Sequence, residues 1–131
     1  MDVRSAQVDL PHDVEAPRAG RRFVMSVLAR WGVVDEAVER AQLLVSELVS
    51  NAVLHGGGPV RLEVREVERG RSVRVEVCNR GNGQPLMRRA ASEDLSGRGL
   101  QLVDQLSHEW GSSTVDGETS VWFEVRADAA M

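Results

Sequence analysis

The chain has 131 residues, a net charge of −4, and 42% hydrophobic and 27% charged residues, the proportions of a soluble protein long enough for one core and too short for two. The negative charge, the absence of Tyr and an aromatic content of 4% argue against a nucleic-acid surface. Every one of the 16 basic residues is Arg, which excludes a P-loop, the strand lysine of eukaryotic-type protein kinases and Schiff-base chemistry through lysine.

No apolar run approaches a membrane span and the N-terminus carries no signal-peptide pattern, so the expectation is one cytoplasmic domain over residues 1–131, without a membrane partner. Cys78 stands alone and suits a reducing compartment. Residues 1–10 read as an edge strand or ordered arm, with Val3, Val8 and Leu10 as their large apolar positions. Asp13 to Pro17 predicts a helix start, with Asp as cap and Pro in the first turn. Ala19, Phe23, Val24, Val27, Leu28 and Trp31 then follow helical spacing, and Gly32 closes the helix. Asp35 reads as the cap of a second helix running to about Leu54, stopped abruptly by Gly56-Gly57-Gly58-Pro59.

The period then changes to two. Val60, Leu62 and Val64 alternate with Arg61, Glu63 and Arg65, and after a turn at Arg69-Gly70-Arg71 the alternation resumes at Val73, Val75 and Val77. If Val77 faces the core, Asn79 points the same way and Cys78 faces outward, as a neutral position and not a nucleophile. Asn79 to Pro85 reads as a glycine-rich break, followed by a connector containing Arg88 and Arg89. Ser96-Gly97-Arg98-Gly99 leads into a short amphipathic helix through Leu100, Leu102, Val103 and Leu106. A strand near Glu109–Thr114, a turn at Val115 to Gly117 and a strand through Val121, Phe123 and Val125 finish the chain, with Trp110 and Trp122 as packing residues. The sum is an α+β class. Helices cover one face of an antiparallel or mixed sheet and the other face is wet.

One stretch departs from simple amphipathic patterning. From Ser46 to His55, Val45, Leu48, Val49 and Ala52 share a helix face, while Glu47, Asn51 and His55 recur every four residues along its edge. A carboxylate and a carboxamide half turned toward a core need partners. The glycine pairs Gly81-x-Gly83 and Gly97-x-Gly99 each suit an ordinary turn, yet they also let backbone N–H groups approach a ligand, the second at the start of a helix that attracts phosphate.

The order Ser-Glu47-Leu-Val-Ser-Asn51-Ala-Val-Leu-His55-Gly, Asn79-x-Gly81-x-Gly83 and Ser96-Gly97-Arg98-Gly99-Leu100 resembles the GHKL ATPases. Among them it is most similar to the small histidine-kinase-like domains of anti-sigma factors with serine kinase activity. The resemblance covers nearly the whole chain and implies a two-layer Bergerat-type fold with a mixed, mostly antiparallel sheet. It implies ATP and Mg²⁺ as cofactors, with Glu47 as general base or orienter and Asn51 on the metal. Asn79, Gly81 and Gly83 would meet the nucleotide, and Ser96, Gly97, Arg98, Gly99 and Leu100 the phosphates. It also implies a sigma factor or an anti-anti-sigma (STAS-type) protein as partner, and often a homodimer. With no Lys, the metal, backbone amides and Arg88, Arg89 or Arg98 must supply positive charge.

Position 79 departs from the family pattern, which has Asp there to accept from the adenine amino group. A neutral acceptor is weaker by roughly 1–2 kcal/mol, about 5- to 30-fold in affinity. The flipped amide would suit a guanine carbonyl. Two other readings stand beside the kinase: a regulatory module that binds nucleotide poorly and acts by sequestering its partner, and an unrelated enzyme using His55 or His108.

Overall fold

The computed structural model describes residues 4–81, 103 and 105–127. It begins with β1 (Ser5–Leu10), followed by α1 (Ala16–Arg30) and α2 (Asp35–His55). Four further strands complete the order: β2 (Gly56–Val67), β3 (Ser72–Gly81), β4 (Glu109–Val115) and β5 (Glu118–Arg126). The strands form one sheet in the order β1-β2-β3-β5-β4, and every pairing among them is antiparallel. This is the expected α+β architecture, with one strand more than the alternation alone counts and β1 as an edge.

The pleat sorts the sheet cleanly. Leu62, Val64, Val75 and Phe123 are fully buried, and they meet Val24, Val27, Leu28, Leu44, Leu48 and Val49 from the two helices. Burying such side chains contributes about 1.5–3 kcal/mol each relative to exposure, so the valine-rich strands and the helix stripes drive one another's placement. Trp110 packs against this core. Trp122 lies on the opposite face, under the Arg74 guanidinium at 4.0 Å, which also donates to Glu124 at 2.6 and 2.8 Å. Val103, Gln105 and Leu106 are helical, as the spacing predicts, and Val103 is buried.

The helix ends differ in detail from the sequence expectation. Asp13 does not cap α1: its Oδ1 accepts from the Glu15 N–H at 2.9 Å, two residues early, and Glu15 occupies the cap position without a side-chain bond. Asp35 is the first helical residue of α2, not its cap, and with Glu36 it acts through the helix dipole. The end of α1 does follow the glycine rule. Gly32 adopts φ +74°, its N–H donates to the Ala29 carbonyl, and the Val33 N–H donates to Leu28, a Schellman closure.

The larger correction concerns Gly56 to Pro59. These residues are not a loop that separates helix from strand. They are the start of β2, following His55 directly, with Gly56 opposite Gly81 and Gly57 opposite Arg80 and a register shift before Val60. Likewise Asn79 to Gly81 lies within β3, where the sequence reads as a break.

Candidate functional site

The direct passage from α2 into β2 places the end of the polar helix edge beside the end of β3. Glu47 lies on α2, half-buried. Asn51 lies one turn further, about 6 Å along the axis, and is only 4% exposed. Its Nδ2 is buried and has no hydrogen-bond partner among the described residues. An orphaned amide of this kind costs about 1–3 kcal/mol and marks a place where a further group completes the structure.

Asn79 points inward, as strand parity predicts, and is 7% exposed. Its amide nitrogen reaches the Arg80 carbonyl only at 3.5 Å, the outer limit of a hydrogen bond. The carboxamide rests against Gly56: a Cβ there would sit 1.5 Å from Asn79 Nδ2 and 2.9 Å from the Ala52 carbonyl oxygen. Gly56 is thus required by a side chain from the neighbouring strand and not by a turn, since its own φ of −113° is ordinary extended backbone.

Two residues of this site are given no site role by the sequence reading. Gly56 is one. Thr119, opposite Asn79 in the β3–β5 register, is the other: it is 5% exposed, and its hydroxyl lies 3.3 Å from that of Thr114. Its position in phase with Val121, Phe123 and Val125 was the available signal. Asn79 and Thr119 give the inner face a polar end, otherwise lined by Val60, Val77 and Val121. A flat heterocycle with polar edges matches that mixture.

Gly81 closes β3 at this end. Gly83, Arg88, Arg89, Ser96, Gly97, Arg98, Gly99 and Leu100 lie outside the described residues. Among the described residues no group of three His, Cys, Asp or Glu side chains could hold a metal. Asn51 fits a different kind of site, in which a hard cation takes one amide oxygen and completes its shell from nucleotide phosphates. A half-turn of the terminal torsion exchanges the two ends of that carboxamide, so the unpartnered end can present oxygen. Cys78 faces outward beside Arg61, and burial pushes its thiol above the usual range, which removes the thiolate character a nucleophile requires.

A family model described as a histidine kinase-like ATPase domain matches residues 10–125. No curated protein gives a significant sequence match. Among solved structures, the RsbU and RsbW domains of Rv1364c from Mycobacterium tuberculosis align at a TM-score of 0.73 and 23% identity, covering 94% of this chain and 32% of that one. The histidine kinase domain of the Erythrobacter litoralis EL346 blue-light activated histidine kinase aligns at 0.56 and 29%, over 70% of this chain and 45% of that one. The SiaB–SiaC complex from Pseudomonas aeruginosa aligns at 0.69 and 16%, over 92% and 88%. The chain therefore spans about a third of the first of these and less than half of the second. No described helix is long and apolar enough to cross a membrane.

Proposed function

The chain belongs to the histidine kinase-like ATPase domain family, and from that premise we propose that it is an anti-sigma-type regulator that phosphorylates a serine or threonine of an anti-anti-sigma (STAS-type) antagonist, using ATP and Mg²⁺. The observation that carries this reading is the buried Asn51 Nδ2, without a hydrogen-bond partner among the described residues and one helical turn from Glu47, at the end of the sheet where Asn79 and Thr119 turn inward.

In this reading Glu47 takes the proton of the partner's hydroxyl as that oxygen bonds to the γ-phosphorus. The bond from phosphorus to the bridging oxygen breaks, and ADP carries away the electron pair. Asn51 holds the metal, which when bound neutralises phosphate charge. Asn79 and Thr119 receive the adenine edge, and with the Asn79 nitrogen turned to the Arg80 carbonyl, its oxygen is the atom that accepts from the ring's amino group. By the motif resemblance, Gly81 and Gly83 would meet the nucleotide and Ser96 to Leu100 the phosphates. Positioning and charge neutralisation carry most of the acceleration in such transfers.

Incubation with γ-labelled ATP and purified small STAS-type proteins as candidate antagonists tests the proposal. Label should pass to the antagonist with wild type and fall by at least about a hundredfold with Glu47→Ala. Equal transfer by both proteins would remove Glu47 from the chemistry.

Asn79 favours a second reading, in which the fold is retained, nucleotide binds weakly and the partner is sequestered without phosphorylation. A stable complex with the antagonist or with a sigma factor, unaffected by ATP and accompanied by no label transfer, would select it.

A further inference from the structure

A concave site lies at the end of the sheet away from Asn79. Val73, which lines it, is six residues before Asn79 on β3, about 20 Å away. The cleft is about 290 Å³ in volume, with Trp31 and Val73 on its apolar side and Arg4, Arg69, Arg71 and Glu66 as its charged lining. Three guanidinium groups against one carboxylate is a local excess of positive charge in a molecule whose net charge is −4.

The charges are not equivalent. Arg4 donates to Glu66 Oε2 from Nε at 2.9 Å and from Nη2 at 2.6 Å, and lies 5.1 Å from the Trp31 ring centre. Arg4 and Glu66 therefore neutralise and immobilise one another. Arg69 and Arg71 are exposed and have no ion-pair partner among the described residues.

The backbone that presents them is strained. Glu68 and Arg69 have φ of +53° and +59°, a left-handed pair followed by Gly70 at +84°. Left-handed backbone is unfavourable for residues with a Cβ and persists where the surroundings or a function hold it. Glu68 does not compensate the cleft, because its carboxylate pairs with Arg126 at 3.1 Å and neither residue lines the cavity. The strained turn thus delivers Arg69 to a cleft where its charge is uncompensated.

We propose that this cleft binds a small dianion through carboxylate or phosphoryl oxygens, gripped by Arg69 and Arg71 beside the fixed Arg4–Glu66 pair. The volume is at the small end for ligand sites, two free guanidiniums match two negative charges, and planar donor forks suit both oxyanion classes. None of its lining residues belongs to the group proposed to hold nucleotide.

The test is a ¹H–¹⁵N titration of the full chain with inorganic phosphate and, separately, with succinate. Saturable shifts of the Trp31 indole N–H and the Gly32 and Gly70 amides are expected with at least one probe. Response to phosphate alone assigns phosphoryl ligands, and response to succinate alone assigns dicarboxylates. Arg71→Gln and Arg69→Gly, the latter compatible with the positive φ, should each weaken binding about tenfold and more strongly together. No saturable shift with either probe, or equal affinity in the variants, overturns the proposal. Shifts produced only by an acidic peptide also overturn it, and make the cleft a protein-docking surface.

Discussion

Substituting Gly56 by Ala is the sharpest perturbation of the nucleotide end. The backbone there is extended, with φ −113°, so without close neighbours Gly→Ala would stabilise by about 0.4–1 kcal/mol through the unfolded chain. The structure reverses the sign. The new methyl would lie 1.5 Å from Asn79 Nδ2 and 2.7 Å from its Cγ, far inside contact distance, so the carboxamide must leave its place. Overpacking of this kind costs about 1–3 kcal/mol. In an Asn79→Ala background the 2.9 Å contact with the Ala52 carbonyl oxygen persists, a backbone clash that keeps part of the cost. Gly56→Ala should therefore destabilise both backgrounds, and cost about 1–2 kcal/mol more in wild type than beside Asn79→Ala. Urea denaturation of the four proteins at constant slope measures it. Equal costs in both backgrounds would show that the Asn79 side chain does not lie on Gly56.

Asn79→Asp should tighten ATP binding about 5- to 30-fold, because a charged acceptor replaces a neutral one; titration calorimetry reads this, and unchanged affinity would place the ring elsewhere. Asn51→Leu removes a buried amide nitrogen that has no partner among the described residues, so it should raise stability by up to about 1 kcal/mol while abolishing the effect of Mg²⁺ on nucleotide affinity. A loss of stability would mean that the amide is already satisfied without ligand. Arg74→Ala leaves Glu124, whose side chain is 4% exposed, without its counter-charge and uncovers Trp122. With Arg74 itself one-third exposed, the expected cost is about 2–3 kcal/mol, below the full range for breaking a buried pair, and most of it should return in Arg74→Met combined with Glu124→Leu.

Much of the fold was legible because the two periodicities are clean. Val60 to Val64 and Val73 to Val77 alternate without interruption, and the buried stripe of α2 repeats at three and four residues, so layer and parity follow directly. Parity alone turned Asn79 inward and Cys78 outward. Gly56 to Pro59 misled because consecutive glycines signal a turn locally, whereas here they let β2 begin on the last residue of α2 and admit the Asn79 carboxamide. That need arises from a residue 23 positions away, and no local pattern contains it. Thr119 was missed for a similar reason, since its importance lies in its pairing with Asn79 across two strands. Asp13 and Asp35 look alike as caps, yet one makes a turn before its helix and the other lies inside it, a difference of one or two residues that composition does not encode.

If Glu47, Asn51 and Asn79 face one nucleotide, titration calorimetry of the chain with ATP, with and without Mg²⁺, will read it out. Wild type should bind one ATP with Mg²⁺-enhanced affinity, Asn51→Leu should lose that enhancement, and Asn79→Asp should bind more tightly. Binding of ATP with the same affinity in all three proteins, or no binding in any, would mean that these side chains do not share a nucleotide.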